Sequence, residues 1–193
     1  MLLTDRFGVA LSFAFRVHAT HECKVSGVPY VGHLLGVTSI ALGYGADEDE
    51  AIAALLHDAV EDQGGAAMRE EIRQRFGERV AAIVDGCTDT DEVPKPPWRA
   101  RKEAYISHLS GASPSVLLIS SSDKLHNARS ILRDYRADGE SVWDRFTGGK
   151  DGTLWYYRTL TDTCRAISRS ALVDELDCTV TELGHLVSQA GKS

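Results

Sequence analysis

DEDEAIAALLHDAVEDQGG, residues 47–65, carries the strongest helical signal in the chain. Ile52, Leu55, Leu56 and Ala59 recur in it at i, i+3, i+4 and i+7, the period of a helix with one apolar face. Asp47 stands where a helix cap belongs, and Gly64-Gly65 marks the end. On such a helix His57-Asp58 and, one turn further on, Glu61-Asp62 share one broad face directly after the apolar run Ala51 to Leu56.

Working outward, the same signals recur. Asp5 is placed to cap a first helix to about His18, His21 to Tyr30 reads as a loop through Gly27 and Pro29, and a second helix runs from about His33 to Gly43. Beyond Gly65, helical segments are expected from about Ala67 to Phe76, Glu78 to Cys87 and Trp98 to Leu109. Between the last two, Asp89 to Pro97 carries three prolines and three carboxylates and is a loop. Ser113-Pro114 combines a cap with a proline at the first helical position and opens a long helix towards Asp138. After the Gly148-Gly149 break, helices follow at about Thr153 to Ile167 and Ala171 to Ala190. No run alternates apolar and polar residues as a half-buried strand does, and no internal repeat is present. The class read is all-α.

With 193 residues, 43% hydrophobic and 25% charged, the chain has the composition of one globular domain. Its formal charge of −7 disfavours nucleic acid or an anionic membrane as a partner. The apolar stretch Phe7 to Val17 is broken by Arg16 and is too short to span a bilayer. Cys23, Cys87, Cys164 and Cys178 are scattered, which reads as free thiols in a cytoplasmic protein.

Placing His, Asp, Glu and Asp right after the most apolar turn of a helix calls for something to offset the cost of burying them. A divalent metal does so, and imidazole with carboxylate suits Mn²⁺, Fe²⁺ or Zn²⁺. Taken alone, a His-Asp pair more often belongs to a solvated face or a cap. Asp123, after the apolar Val116 to Ile119 and one turn before Asn127, is disfavoured mid-helix; it fits a metal ligand or an exposed partner of Lys124 or Arg129 equally well. His33 by itself is more often a helix-start or core histidine.

Taken in order, His33, LLHDAVED (55–62) and SDKLHNAR (122–129) resemble the HD superfamily of metal-dependent phosphohydrolases. Within it the chain is most similar to the hydrolase domain of RelA/SpoT proteins and to small stand-alone alarmone hydrolases. GVPYVGH (27–33), Phe76-Gly77 and VDGCTD (84–89) add to the likeness, which covers about residues 5–165. The resemblance implies one HD-type helical bundle over residues 1–193, with a C-terminal helical extension at about 166–190 and a metal site between helices. It implies one divalent ion, Mn²⁺ ahead of Fe²⁺ or Zn²⁺, held by His33, His57, Asp58 and Asp123. Glu61 and Asp62 match the acidic pair that orients or deprotonates the attacking water, Asn127 and Ser130 match positions facing the nucleotide, and Lys24 a basic residue near the phosphates.

The activity implied is that of a guanosine-3′,5′-bis(diphosphate) 3′-pyrophosphohydrolase acting on a small phosphorylated nucleotide. The length leaves no room for synthetase or regulatory domains, so hydrolysis alone is expected. The family's basic pair is here Cys23-Lys24 or Lys24-Val25, one arginine short, and Leu34 and Ser122-Asp123-Lys124 replace a proline and Ala-Asp-Arg. Another nucleotide or a phosphomonoester is therefore the alternative substrate, and a non-catalytic nucleotide sensor the alternative class. Trp98-Arg99-Ala100-Arg101-Lys102 with Tyr105 reads as a solvated amphipathic face or as a segment closing over phosphates, and Trp155-Tyr156-Tyr157-Arg158 as core and interface. His18, His21, His108, His126 and His185 show no partner spacing and receive no role.

Overall fold

Asp47 begins the central helix with a capping box: its carboxylate accepts from the Glu50 amide at 3.0 Å, and Glu50 reaches back to the Asp47 amide at 2.8 Å. In the computed structural model, which describes residues 2–22, 28–92 and 94–190, this helix is α3, Glu48–Leu56. It follows α1, Asp5–Val17, and α2, Val31–Gly43. After it come α4, Ala59–Gln63, α5, Gly65–Phe76, and α6, Glu78–Cys87. The chain continues through α7, Trp98–Leu109, α8, Pro114–Asp138, a 3₁₀ helix at Gly139–Arg145, α9, Gly149–Ile167, and α10, Ala171–Ala190. The protein is all-α; among the described residues the extended pairing is one isolated bridge between Glu22 and Pro29.

These helices form two compact units, Met1–Pro96 with Ala112–Ser122, and Pro97–Gly111 with Asp123–Ser193. In the first, α3 packs against α1, α2 and α6. All of Ala51 to Leu56 is buried, so α3 is enclosed on every side and not only along the stripe its periodicity suggests. Its alanines let neighbouring helices approach, while Ile52, Leu55 and Leu56 fill the core with Leu34, Val37, Ile72 and Val84. Arg79 pairs with Asp47 at 2.6 Å and Asp49 at 3.2 Å, and Ser115 donates to Glu50 at 2.7 Å, so the acidic first turn of α3 is also its anchor to α6 and the start of α8.

Some boundaries differ from expectation for local reasons. Thr4, not Asp5, caps α1, its hydroxyl accepting from the Arg6 amide at 3.3 Å; Asp5 instead lies in the first turn, where a negative charge faces the helix dipole favourably. Gly64 and Gly65, at φ 143° and 52°, make the turn between α4 and α5, so the pair starts a helix as well as ending one.

Gly86 on α6 is required by a close approach: a Cβ there would lie 2.5 Å from Val116 Cγ2 on α8. Val116 is buried and β-branched and has little rotamer freedom to yield. Gly86→Ala is expected to cost about 1–2 kcal/mol, an overpacking penalty of about 1–3 kcal/mol less part of alanine's helix preference. A thermal melt followed by circular dichroism should fall by several degrees; an unchanged midpoint would contradict the packing described.

In the second unit α9 packs against α7, α10 and the 3₁₀ helix. Leu160, Leu176 and Leu183 are fully buried, and Asp177 receives Arg158 at 2.6 Å and Arg165 at 2.7 Å across the α9–α10 pair. Tyr156 and Tyr157 are buried, as expected for a core segment. The basic start of α7 is engaged within this unit: the Arg99 guanidinium lies 3.2 Å from the Trp155 ring centre and Lys102 Nζ 4.9 Å from that of Tyr156. No helix among the described residues is long and apolar enough to cross a membrane.

Candidate metal centre

His57 and Asp58 do not lie on a continuous helix with Glu61 and Asp62. α3 ends at Leu56 and α4 starts at Ala59, leaving the two residues in a tight connecting turn with helical-region dihedrals. The four polar groups engage different partners. His57 and Asp58 meet His33 of α2, Glu61 pairs with Lys95 at 2.8 Å, and the exposed Asp62 lies with His18 and His21.

One ligand atom from each of His33, His57 and Asp58 lies within 4.8 Å of the others. His33 Nε2 and His57 Nε2 are 3.3 Å apart, and the Asp58 Oδ2 atom is 3.0 Å from His57 Nε2 and 3.5 Å from His33 Nε2. Both histidines are buried, whereas the Asp58 side chain is 22% exposed. His57 Nδ1 donates to the Ala54 carbonyl at 2.8 Å. A carbonyl only accepts, so in the neutral ring Nε2 holds its lone pair towards Asp58 and His33. A bare lone pair 3.0 Å from a carboxylate oxygen is repulsive unless a proton or a metal cation lies between them. The donor set therefore fits a divalent ion of the borderline class.

Burial pushes the Asp58 carboxyl up, but positive charge on the His57 and His33 rings and their hydrogen bonds outweigh that effect and hold it well below the usual carboxylate range; a cation bound among neutral rings would supply the same charge. The Tyr30 hydroxyl donates to the same carboxylate. Tyr30 was not singled out from the sequence, although its place before α2 in the Pro29-Tyr30 turn was the available signal.

Asp123 lies in the second unit, on α8, and is buried rather than an exposed partner for Arg129, which pairs with Glu175. Lys124 forms an ion pair with it, and Asn127 Nδ2 donates to its Oδ1 at 2.6 Å from one turn along the helix. Burial lowers the Lys124 ammonium, but the Asp123 charge more than compensates and keeps it well above its ordinary value. Ser130, half-buried, follows at i+7 on the same side of α8. Lys24 and the Cys23-Lys24-Val25 difference lie outside the described residues.

His18 and His21, which received no role from the sequence, stand at an i, i+3 spacing across the end of α1, with Nδ1 atoms 3.3 Å apart. That HxxH spacing was the signal. It acquires meaning only because the chain turns after Val17.

The profile of the HD domain matches residues 10–154 of the chain. A guanosine-3′,5′-bis(diphosphate) 3′-pyrophosphohydrolase of Danio rerio is 36% identical over 126 residues, covering 64% of this chain and 67% of that protein. One of the same name from Aquifex aeolicus is 35% identical over 122 residues, 63% of this chain but 17% of that much longer protein. Among solved structures, a metazoan ortholog of SpoT described as hydrolysing ppGpp superimposes with a TM-score of 0.80 at 26% identity, covering 95% of this chain and 98% of that one. With the family profile spanning most of its length and a three-donor cluster at the matching His-Asp pair, the chain belongs to the HD-domain family.

Proposed function

We infer that the protein is a guanosine-3′,5′-bis(diphosphate) 3′-pyrophosphohydrolase, cleaving a small phosphorylated nucleotide with the help of one divalent ion, Mn²⁺ in our reading. The observation that carries this is the His33–His57–Asp58 cluster with the His57 lone pair turned inward. His33, His57, Asp58 and Asp123 are the residues proposed to hold the ion. When bound, it supplies charge for the phosphoryl oxygens and lowers the pKa of coordinated water.

The remaining work falls to the chain itself. Glu61, placed by Lys95, accepts the proton of the attacking water, with Asp62 as the second member of the acidic pair. Asn127 and Ser130 contact the nucleotide, and Lys24 approaches its phosphates. Water attacks the phosphorus next to the 3′ oxygen, the P–O3′ bond breaks, and the 3′ oxygen takes a proton, leaving guanosine 5′-diphosphate and pyrophosphate. The family match runs through both compact units, which supports treating residues 1–193 as one functional domain. Cys87, Cys164 and Cys178 are thiols rather than disulfides, which supports a cytoplasmic setting.

A panel of phosphorylated nucleotides and phosphomonoesters assayed with metal-loaded protein tests the substrate. Guanosine tetraphosphate should be the fastest substrate, with pyrophosphate as product. Faster cleavage of a simple nucleotide would instead favour the reading motivated by the missing arginine beside Lys24.

A further inference from the structure

Beyond the first cluster, the described residues hold a second set of metal-ligand chemistry: one atom each of His18, His21 and Asp62 lies within 4.8 Å of the others. We propose that His18, His21 and Asp62 form a second divalent-cation site, next to the first across the Tyr30 ring, taking an ion of the Zn²⁺ or Mn²⁺ class.

The geometry fits. Two nitrogens each about 2.0–2.1 Å from one tetrahedral ion are about 3.3 Å apart. That is the Nδ1–Nδ1 separation of His18 and His21, and it equals the Nε2–Nε2 separation of His33 and His57 in the first cluster. The His18 ring is buried, so its Nδ1 is held in place towards His21 by the surrounding packing.

Tyr30 couples the clusters. It stacks on His18 with ring centres 5.1 Å apart, meets His33 at 5.2 Å, and donates its hydroxyl to Asp58. The consequence for turnover rests on the function proposed above: the pair Glu61-Asp62 divides its labour, Glu61 keeping the proton-accepting role and Asp62 becoming a ligand. His21 and Asp62 are both solvent-accessible, which gives an ion a route in.

The test is equilibrium dialysis of metal-stripped protein against Zn²⁺, with bound metal counted per chain. Wild type should bind two ions, His21→Ala and Asp62→Asn one each, and Asp58→Ala one. Each variant is checked by a thermal melt in metal-free buffer, and Asp62→Asn, an exposed change, serves should His21→Ala not fold. One ion in the wild type that survives in both His21→Ala and Asp62→Asn, or two ions in both variants, overturns the second site, whereas one ion that both variants lose would count against the first centre alone. Two ions retained by Asp58→Ala would instead count against the first centre alone, so the two readings fail separately.

Discussion

Asp58→Ala should lower pyrophosphate release from guanosine tetraphosphate by roughly a thousandfold or more, equivalent to about 4 kcal/mol of lost transition-state stabilisation. The cluster has one formal negative charge, and Asp58 carries it; without it, two imidazoles face each other and the Tyr30 hydroxyl loses its acceptor. The carboxylate is partly exposed and sits in a turn between two helices, so the fold should survive its removal. Asp58→Asn refines the test, because it keeps an acceptor for Tyr30 while removing the charge. Kinetics should be paired with metal content: both variants should lose the ion of this centre along with activity. Full activity in either would remove Asp58 from the metal centre.

Glu61→Gln should reduce turnover by about 10²–10⁴-fold, the usual contribution of a positioned general base, while leaving metal content unchanged. Glu61 is a fifth exposed, stands on α4 directly after the turn at His57-Asp58, and has its carboxylate fixed by Lys95 at 2.8 Å. Glutamine keeps the size and an oxygen for Lys95 but cannot take a proton. A loss confined to kcat, with KM held, marks a group that acts in the transition state. A loss of bound metal in this variant would make Glu61 a ligand instead, and unaltered turnover would exclude it from proton transfer.

Much of the fold is legible in the chain because its punctuation is strong. The bounds of α6, α7 and α10 follow directly from Gly77, the proline loop before Trp98 and the periodic apolar residues of Ala171–Ala190. Ser113-Pro114 opens α8 as expected, the Ser113 hydroxyl accepting from the Val116 amide at 3.3 Å. The 3₁₀ helix at Gly139–Arg145 was missed, being too short to show a period and starting at a glycine with φ 62°. The break at His57-Asp58 was missed because both residues keep helical-region dihedrals, and nothing in their types announces a stop.

The site was legible in a different way. No local pattern brings His33 to His57; that pairing follows from the ordered motifs, and the structure sets the two rings 3.3 Å apart. The division of Glu61 and Asp62 between Lys95 and the His18–His21 pair depends on long-range packing that a helical wheel cannot display. Asp123 was expected to be either ligand or surface partner; its burial beside Lys124 and Asn127 removes the surface option.

The central claim is tested most directly by metal-stripped wild-type protein incubated with guanosine tetraphosphate, with and without added Mn²⁺, and the released pyrophosphate measured. No release is expected without metal, and steady release of pyrophosphate with guanosine 5′-diphosphate is expected once Mn²⁺ is restored. No release with metal demonstrably bound would contradict it.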